Sequence, residues 1–338
     1  MASTQAPLCS DAVVDVILPA YNGSRVIRKA LDSALAQDVP LQVIVVDDGS
    51  TDDTAEIARS YGPHVTVITQ ANRGVSGARN TGLAASSAPY VALLDQDDSW
   101  RPGKLARQLK LLQNHAAVGL VFTDMLLLES DCSIVEDGFL LTTPAYAALA
   151  REPLGGSAFL MPPDLALAVV RFNFISPSTV LLKREAIADV DGFDEAFRLC
   201  DDAECWMRLL HRWRGIAIEE QLVKALVWEG NASLKFEKLI LERIGIGAKV
   251  EAHPELFAEG TSDYLRKERP VSYYRLGIVA LNADDTRTAR AYLWTSLHHG
   301  FRLTTAFALG ATLLPAALRT PLMRLKRGLG VRWSINVE

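Results

Sequence analysis

At 338 residues the chain can hold one large domain, or a domain of roughly 230 residues with an appendage. Its 49% hydrophobic and 22% charged residues exclude extensive disorder, and a net charge of −5 provides no basic footprint for nucleic acid. The four cysteines, Cys9, Cys132, Cys200 and Cys205, form no CxxC pair, and no apolar run reaches the ~18 residues of a spanning helix, so the chain reads as a cytoplasmic protein with reduced thiols.

Residues 1–12 read as a loose leader without periodicity. From Val13 onward, short β-branched runs alternate with helical stretches. Strands are predicted over 13–18, 42–46, 65–68, 90–94 and 118–123, and helices over 24–36, 52–61, 75–85 and 102–115. Continuous apolar strands joined by crossover helices predict an α/β architecture, a Rossmann-like, mostly parallel sheet flanked by helices. Ligands on such sheets sit beyond the carboxyl ends of the strands. That rule singles out the loops Pro19-Ala20-Tyr21-Asn22-Gly23, Asp47-Asp48-Gly49-Ser50 and Gln70-Ala71-Asn72-Arg73-Gly74, and the acidic stretch after Leu94.

The strand Tyr90–Leu94 runs straight into Asp95, Asp97 and Asp98. Carboxylates packed this closely repel one another, and the hard divalent cations Mg²⁺ and Mn²⁺ prefer oxygen ligands while leaving positions for substrate phosphates. Asp95 and Asp97 therefore read as a metal pair clamping a pyrophosphate, because capping the helix near Pro102 would need only one acid. In Asp47–Thr54, Ser50 and Asp53 have capping-box spacing. Asp47 and Asp48 lie upstream, placed either to accept a hydrogen bond from a nucleotide base or to serve the turn at Gly49. Arg79 falls one turn into the glycine-opened helix, within reach of a base or phosphate.

Taken in order, P-A-Y-N, V-V-D-D-G-S-T-D-D-T, N-x-G-V-S-x-A-R-N-x-G and L-L-D-Q-D-D resemble the family 2 glycosyltransferases, inverting enzymes of the GT-A fold. The resemblance implies a nucleotide-diphospho-sugar transferase domain over residues 13–233, with a nucleotide-binding half (13–123) and an acceptor half (124–233). It implies a donor pocket of Pro19, Tyr21, Asn22, Asp47, Asp48, Arg79, Asp95 and Gln96, and a DxD-type Mg²⁺ or Mn²⁺ site at Asp95 and Asp97. The donor would be a UDP-, GDP- or dTDP-linked sugar.

Gly192-Phe193-Asp194-Glu195 followed by Cys200-Asp201-Asp202-Ala203-Glu204-Cys205-Trp206-Met207-Arg208-Leu209 resembles the same family's G-F-D-E…E-D-x-D-x-W-x-R-L pattern. Asp201 here replaces a Glu, and Glu204 stands where an Asp is common. By that resemblance Asp202 is the catalytic base, with Asp201, Glu204 and Trp206 on the acceptor side; the residues alone give an amphipathic helix from Asp202 to His211 with acids in its first turn. Phe174–Leu182 resembles the strand lining the acceptor pocket, and Leu222–Ser233 the closing strand, with Trp228 in place of a usual His. The Gln-x-x-Arg-Trp signature of processive synthases is absent around His211–Arg214, which implies one sugar per binding event.

The implied activity is metal-dependent transfer of a single hexosyl-type sugar to a hydroxyl of a saccharide or lipid-linked acceptor in bacterial polysaccharide or glycolipid assembly. Two alternatives stand beside it. One is a nucleotidyltransferase, although Pro19–Gly23 lacks a Gly-rich basic loop. The other is a catalytically silent nucleotide-sugar-binding relative, which Trp228 keeps open. Residues 234–338 read as helical, and Tyr273–Leu293 resembles a single tetratricopeptide-like pair with Gly277, Ala280 and Ala289 at close-packing positions. The apolar stretch Phe301–Leu318, followed by Arg319, Arg324, Lys326, Arg327 and Arg332, suits peripheral contact with the inner face of an anionic membrane; the competing reading is a buried helix with a solvated tail.

Overall fold

The computed structural model describes residues 12–129, 133–227 and 236–315. The leader through Asp11, Trp228 and the basic run from Arg319 lie outside the described residues. The chain divides into two compact units, 1–232 with 256–258, and 233–255 with 259–338.

The first unit opens with strict alternation: β1 (Val14–Ala20), α1 (Ile27–Leu35), β2 (Leu41–Asp47), α2 (Thr54–Arg59), β3 (Val65–Thr69), α3 (Gly74–Ala85) and β4 (Tyr90–Leu93). There follow β5 (Ser99–Trp100), α4 (Lys104–Asn114), β6 (Val118–Leu128), β7 (Ile134–Asp137), the single turns α5 (Phe139–Thr142) and α6 (Pro144–Ala147), β8 (Glu152–Gly155) and β9 (Ala158–Leu160). The unit ends with α7 (Leu165–Arg171), β10 (Leu181–Lys183), α8 (Arg184–Ala188), α9 (Asp201–Arg212) and β11 (Arg214–Leu226).

All strands join one sheet in the order β3-β2-β1-β4-β10-β6-β11-β9-β8, with β5 on β11 and β7 on β6. Strands β1 to β4 are parallel, β10 runs antiparallel between β4 and β6, and β6 is parallel to β11. Val16, Ile17, Leu18 and Val43 to Val46 are all buried, as expected for strands covered on both faces. Helix α1 buries Ile27, Ala30, Leu31 and Ala34, the 3-then-4 spacing of one helical face. Each large apolar side chain so buried contributes about 1.5–3 kcal/mol. The register pairs Ala20 with Asp47 and Asp47 with Thr69, so three strands end level and their loops share one rim.

The structure corrects several local readings. Ser50 and Asp53 form no capping box: Asp53 makes no side-chain cap to α2, and the Ser50 hydroxyl accepts the Asn22 N–H instead. Asp52 takes over by accepting from the Thr54 N–H at 3.1 Å. The expected strand Phe174–Leu182 breaks at Pro177, which has no N–H for a ladder; a 3₁₀ turn spans Pro177–Thr179 and only Leu181–Lys183 pairs. Strand β6 continues to Leu128, past its expected end at 123, and pairs antiparallel with β7.

The second unit contains α10 (Phe236–Ala252), α11 (Thr261–Asn282), α12 (Thr286–His299) and α13 (Leu303–Ala311). Helices α11 and α12 pack as a pair because Gly277 has no side chain: a Cβ there would lie 2.6 Å from Leu293 Cγ. Ala280 and Ala289 bury with Leu281 at the same contact. Asp285 caps α12 by accepting from the Thr288 N–H. Among the described residues no helix is long and apolar enough to cross a membrane.

Candidate active site

The loop after β1 is fastened to two others. Asn22 sits in the left-handed region at φ +47°, a conformation Asn tolerates better than most residues. Its N–H donates to Ser50 Oγ, and its Oδ1 accepts from the Thr51 N–H at 2.8 Å. Gly23 N–H donates to Thr54 Oγ1 and Ser24 N–H to Asp52. Burial raises the Asp52 carboxyl, but the hydrogen bonds from Thr54 and Ser24 together outweigh it and bring it down to about 2. On the other side Gln96 receives the Tyr21 N–H at 3.0 Å and returns its own N–H to the Tyr21 carbonyl at 3.1 Å. A Cβ on Gly23 would lie 2.1 Å from the Gln96 Oε1, so a side chain there would displace the Gln96 carboxamide from this position. Pro19 is buried within β1, while the Tyr21 ring, 48% exposed, stands open at the rim.

The acids after β2 are satisfied by their own chain. Asp48 is buried and accepts from Gln70 Nε2 and from the Arg73 and Gly74 N–H groups at 2.7–2.8 Å, so it holds the N-terminus of α3 where negative charge is favoured. Asp47 accepts from the Ser50 N–H at 3.3 Å. Both carboxylates, expected to face a nucleotide, are engaged in loop structure here.

The acids after β4 are arranged differently. The Asp95 N–H donates to Ser178 Oγ, and its carboxylate accepts from Arg79 at 2.8 Å. Asp98 is buried, and burial pushes its carboxyl well above the usual carboxylate range; Asp97 and Asp95 push the same way, while Ser178 and the Leu226 N–H pull back. Asp97 borders an open cavity of about 640 Å³, lined also by Arg25, Arg28, Lys29 and Leu226. That size suits a small organic ligand. Among the described residues there is no cluster of three ligating side chains. Asp95 and Asp97 offer two hard oxygen donors, and this donor set fits an open Mg²⁺ or Mn²⁺ position completed by substrate oxygens.

Arg79 joins this loop to the start of α9. It is only 4% exposed, and besides Asp95 it donates to Asp201 at 2.6 Å, with Phe193 lying 5.4 Å beneath its guanidinium. Burial disfavours the Arg79 charge, but Asp201, Asp95 and Asp202 outweigh it and hold the guanidinium protonated. Arg79 thus grips two carboxylates. Asp201, at the first position of α9, is pushed up by burial against the pull of Arg79.

Asp202 follows at the second position. Its Oδ1 accepts from the Ala203 N–H at 2.7 Å and its Oδ2 from Asn173 Nδ2 at 2.9 Å, so the carboxyl is oriented from two sides. Burial, then the negative charge of Asp201, raise its pKa from 3.8 to about 7. Asn173 was not singled out in the sequence; it lies in an ordinary stretch, Arg171-Phe172-Asn173-Phe174, and only the fold brings it to Asp202.

Two residues further on the roles change. Glu204 is fully buried, and both its oxygens accept from Arg208 at 2.6–2.7 Å; Arg208 in turn donates to the Val190 and Gly192 carbonyls. Trp206 is also fully buried, with Nε1 donating to the Ile175 carbonyl. Expected on the acceptor side, these two instead fix α9 to the turn at Val190–Gly192 and to the segment before Pro177.

The mostly parallel sheet flanked by helices, with its polar loops on one rim, is that of the GT-A class of nucleotide-diphospho-sugar transferase folds. TarS of S. aureus, solved in complex with UDP-GlcNAc, superposes with a TM-score of 0.58 at 18% identity over 93% of this chain and 92% of that one. Mannosyltransferase PcManGT of Pyrobaculum calidifontis, solved with GDP-Man and Mn²⁺, gives 0.52 at 22% identity over 92% and 83%. Residues 15–124 match the model of glycosyl transferase family 2. The succinoglycan biosynthesis protein ExoO of Rhizobium meliloti is 36% identical over 204 residues, 58% of this chain and 56% of its own length. Residues 15–124 thus resemble family 2 glycosyltransferases on a GT-A fold, and the match spans just over half the length of that relative.

Proposed function

We propose that the protein is an inverting glycosyltransferase that moves a single sugar from a nucleotide-diphosphate donor to a hydroxyl of a saccharide or lipid-linked acceptor. The observation that carries the reading is the oriented Asp202 carboxyl, linked through Asp201 and Arg79 to Asp95 on the acidic rim. A carboxyl with a pKa near 7 is suited to take a proton from an attacking hydroxyl at neutral pH. In the step, the acceptor oxygen bonds to the anomeric carbon and its proton passes to Asp202. The bond from that carbon to the diphosphate breaks, and its electrons leave with the phosphate oxygen.

Asp95 and Asp97 would hold a Mg²⁺ or Mn²⁺ ion, which when bound neutralises charge building on the diphosphate. Tyr21 offers an exposed ring to the nucleotide base, and Arg79 holds Asp95 and Asp201 at fixed spacing. The likeness to structures that carry UDP-GlcNAc, or GDP-Man with Mn²⁺, supports this choice of donor class and metal. Bacterial polysaccharide or glycolipid assembly, with peripheral contact at the inner face of the membrane, belongs to the same reading, which the likeness to a succinoglycan biosynthesis protein supports.

The test combines the full chain, Mn²⁺, a panel of UDP-, GDP- and dTDP-sugars and oligosaccharide acceptors, with the anomeric configuration of the product read by NMR. The expected product has the configuration opposite to the donor, and Asp202→Asn binds donor without transferring it. A retained configuration, or full turnover in Asp202→Asn, would overturn the assignment.

A further inference from the structure

Helix α13 is assembled the wrong way round for a helix facing water. Its inner side is made of small residues: Thr305, Ala308 and Ala311 are buried, and Ala308 packs with Ile278 and Leu293. Its outer side carries Leu303 and Phe307, one turn apart, and the turn after it adds Leu313 and Leu314. Phe301 lies just before the helix and Trp294 on α12. These six side chains are 36–78% exposed, and they make up more than half of the exposed large apolar residues recorded among the described residues. Scattered apolar residues on a surface are ordinary, but a concentration like this one marks an interaction surface.

The charge of the same stretch selects the partner. From Thr286 to Val337 the sequence contains no aspartate or glutamate, and it contains eight lysines or arginines. Against a whole-chain charge of −5, this leaves a net −13 on the remainder. An apolar protein partner would not require fifty-two residues free of carboxylates; a bilayer bearing anionic headgroups would repel each one. Large aliphatic and aromatic side chains beside a basic stretch are the composition of segments that lie in the headgroup region, and each Lys or Arg near an anionic surface adds about fivefold to partitioning.

We infer that the outer face of α13, with Trp294, Phe301, Leu313 and Leu314, is an interfacial anchor that seats the protein on an anionic bilayer. The inference deepens the membrane part of the proposed function, and it is independent of the chemistry: vesicle binding can fail while sugar transfer persists, and the reverse.

The test is co-sedimentation of the full chain with vesicles of phosphatidylcholine alone and with 30% phosphatidylglycerol, at low and high salt. The expected result is binding to the anionic vesicles only, weakened by salt, and at least tenfold weaker in Leu303→Ser/Leu313→Ser. Because Leu303 and Leu313 are 78% and 74% exposed, the double variant keeps the wild-type melting temperature and the wild-type affinity for nucleotide diphosphate. Failure of the wild type to bind anionic vesicles would overturn the inference, as would equal binding by the folded double variant. So would a concentration-dependent dimer, seen by light scattering, that the double variant abolishes, since the face would then join two copies of this chain.

Discussion

The loops after β2 and β4 are both acidic, and both stand on the same rim of the sheet, yet they handle charge in opposite ways. After β2, Asp48 and Asp52 accept from backbone and side-chain donors supplied by neighbouring loops, and Asp52 is ionised well below the usual carboxylate range. After β4, Asp98 is driven up by burial and by Asp97 and Asp95, and Arg79 meets only Asp95 of the three. The first loop spends its carboxylates on holding the fold. The second gathers three carboxylates whose charges act on one another, and in the proposed reading a bound cation balances them.

The contrast extends to α9, and the largest expected effect tests it there. Asp202→Asn should lower transfer by about 10³-fold at saturating donor, measured as product formed per enzyme, with donor affinity held within about twofold by calorimetry. Next come the two acidic loops themselves. Asp48→Ala strands the N–H groups of Arg73 and Gly74 and should cost about 3 kcal/mol, a melting temperature lower by about 6–12 °C. Asp97→Asn should leave the melting temperature within about 2 °C of wild type or raise it, since it removes one of the charges facing Asp98, while abolishing turnover. If the two variants exchanged these effects, the comparison would be wrong.

The contribution of pH is smaller and has a definite sign. Asp202 titrates near 7 in the folded protein and at 3.8 as a free side chain, so the native state binds its proton more tightly than the unfolded one. The stability due to this group is fully present below about pH 4 and is lost as pH rises through 7. Asp202→Asn should therefore match the wild-type melting temperature at pH 4 and exceed it at pH 8. Wild-type turnover should rise across the same interval as the base ionises. A flat difference between pH 4 and pH 8 would remove Asp202 as the titrating group. The smallest effect expected is that of Gln96→Ala, which loses two neutral hydrogen bonds at a part-exposed site and should cost about 1 kcal/mol.

Much of the fold was legible because its signals are local. Apolar runs such as Val43–Val46, the spacing of Ile27, Ala30, Leu31 and Ala34, and the polar strand-end loops are properties of neighbouring residues. What the sequence did not reveal are the pairings of distant residues. Arg79 meets Asp201 across 122 positions and Asn173 meets Asp202 across 29. Nothing in the order of the letters says which acid of α9 an arginine on α3 will choose. Asp201, Asp202 and Glu204 look alike as a run of acids, but helical geometry turns Glu204 inward to Arg208 while Asp202 stays at the open end. Likewise, Ser50 and Asp53 have capping-box spacing, but Asn22 from the neighbouring loop claims the serine first.

Gln96 forms a single rung of ladder with a side chain where the backbone could not. Because it both gives a hydrogen bond to Tyr21 and takes one from it, the loop proposed to carry the base is tied directly to the loop proposed to carry the diphosphate. Under the proposed function, a change that retunes one end of the donor site, such as a new base preference built around Tyr21, is therefore expected to be felt at the other end, so that specificity and catalytic power are adjusted together.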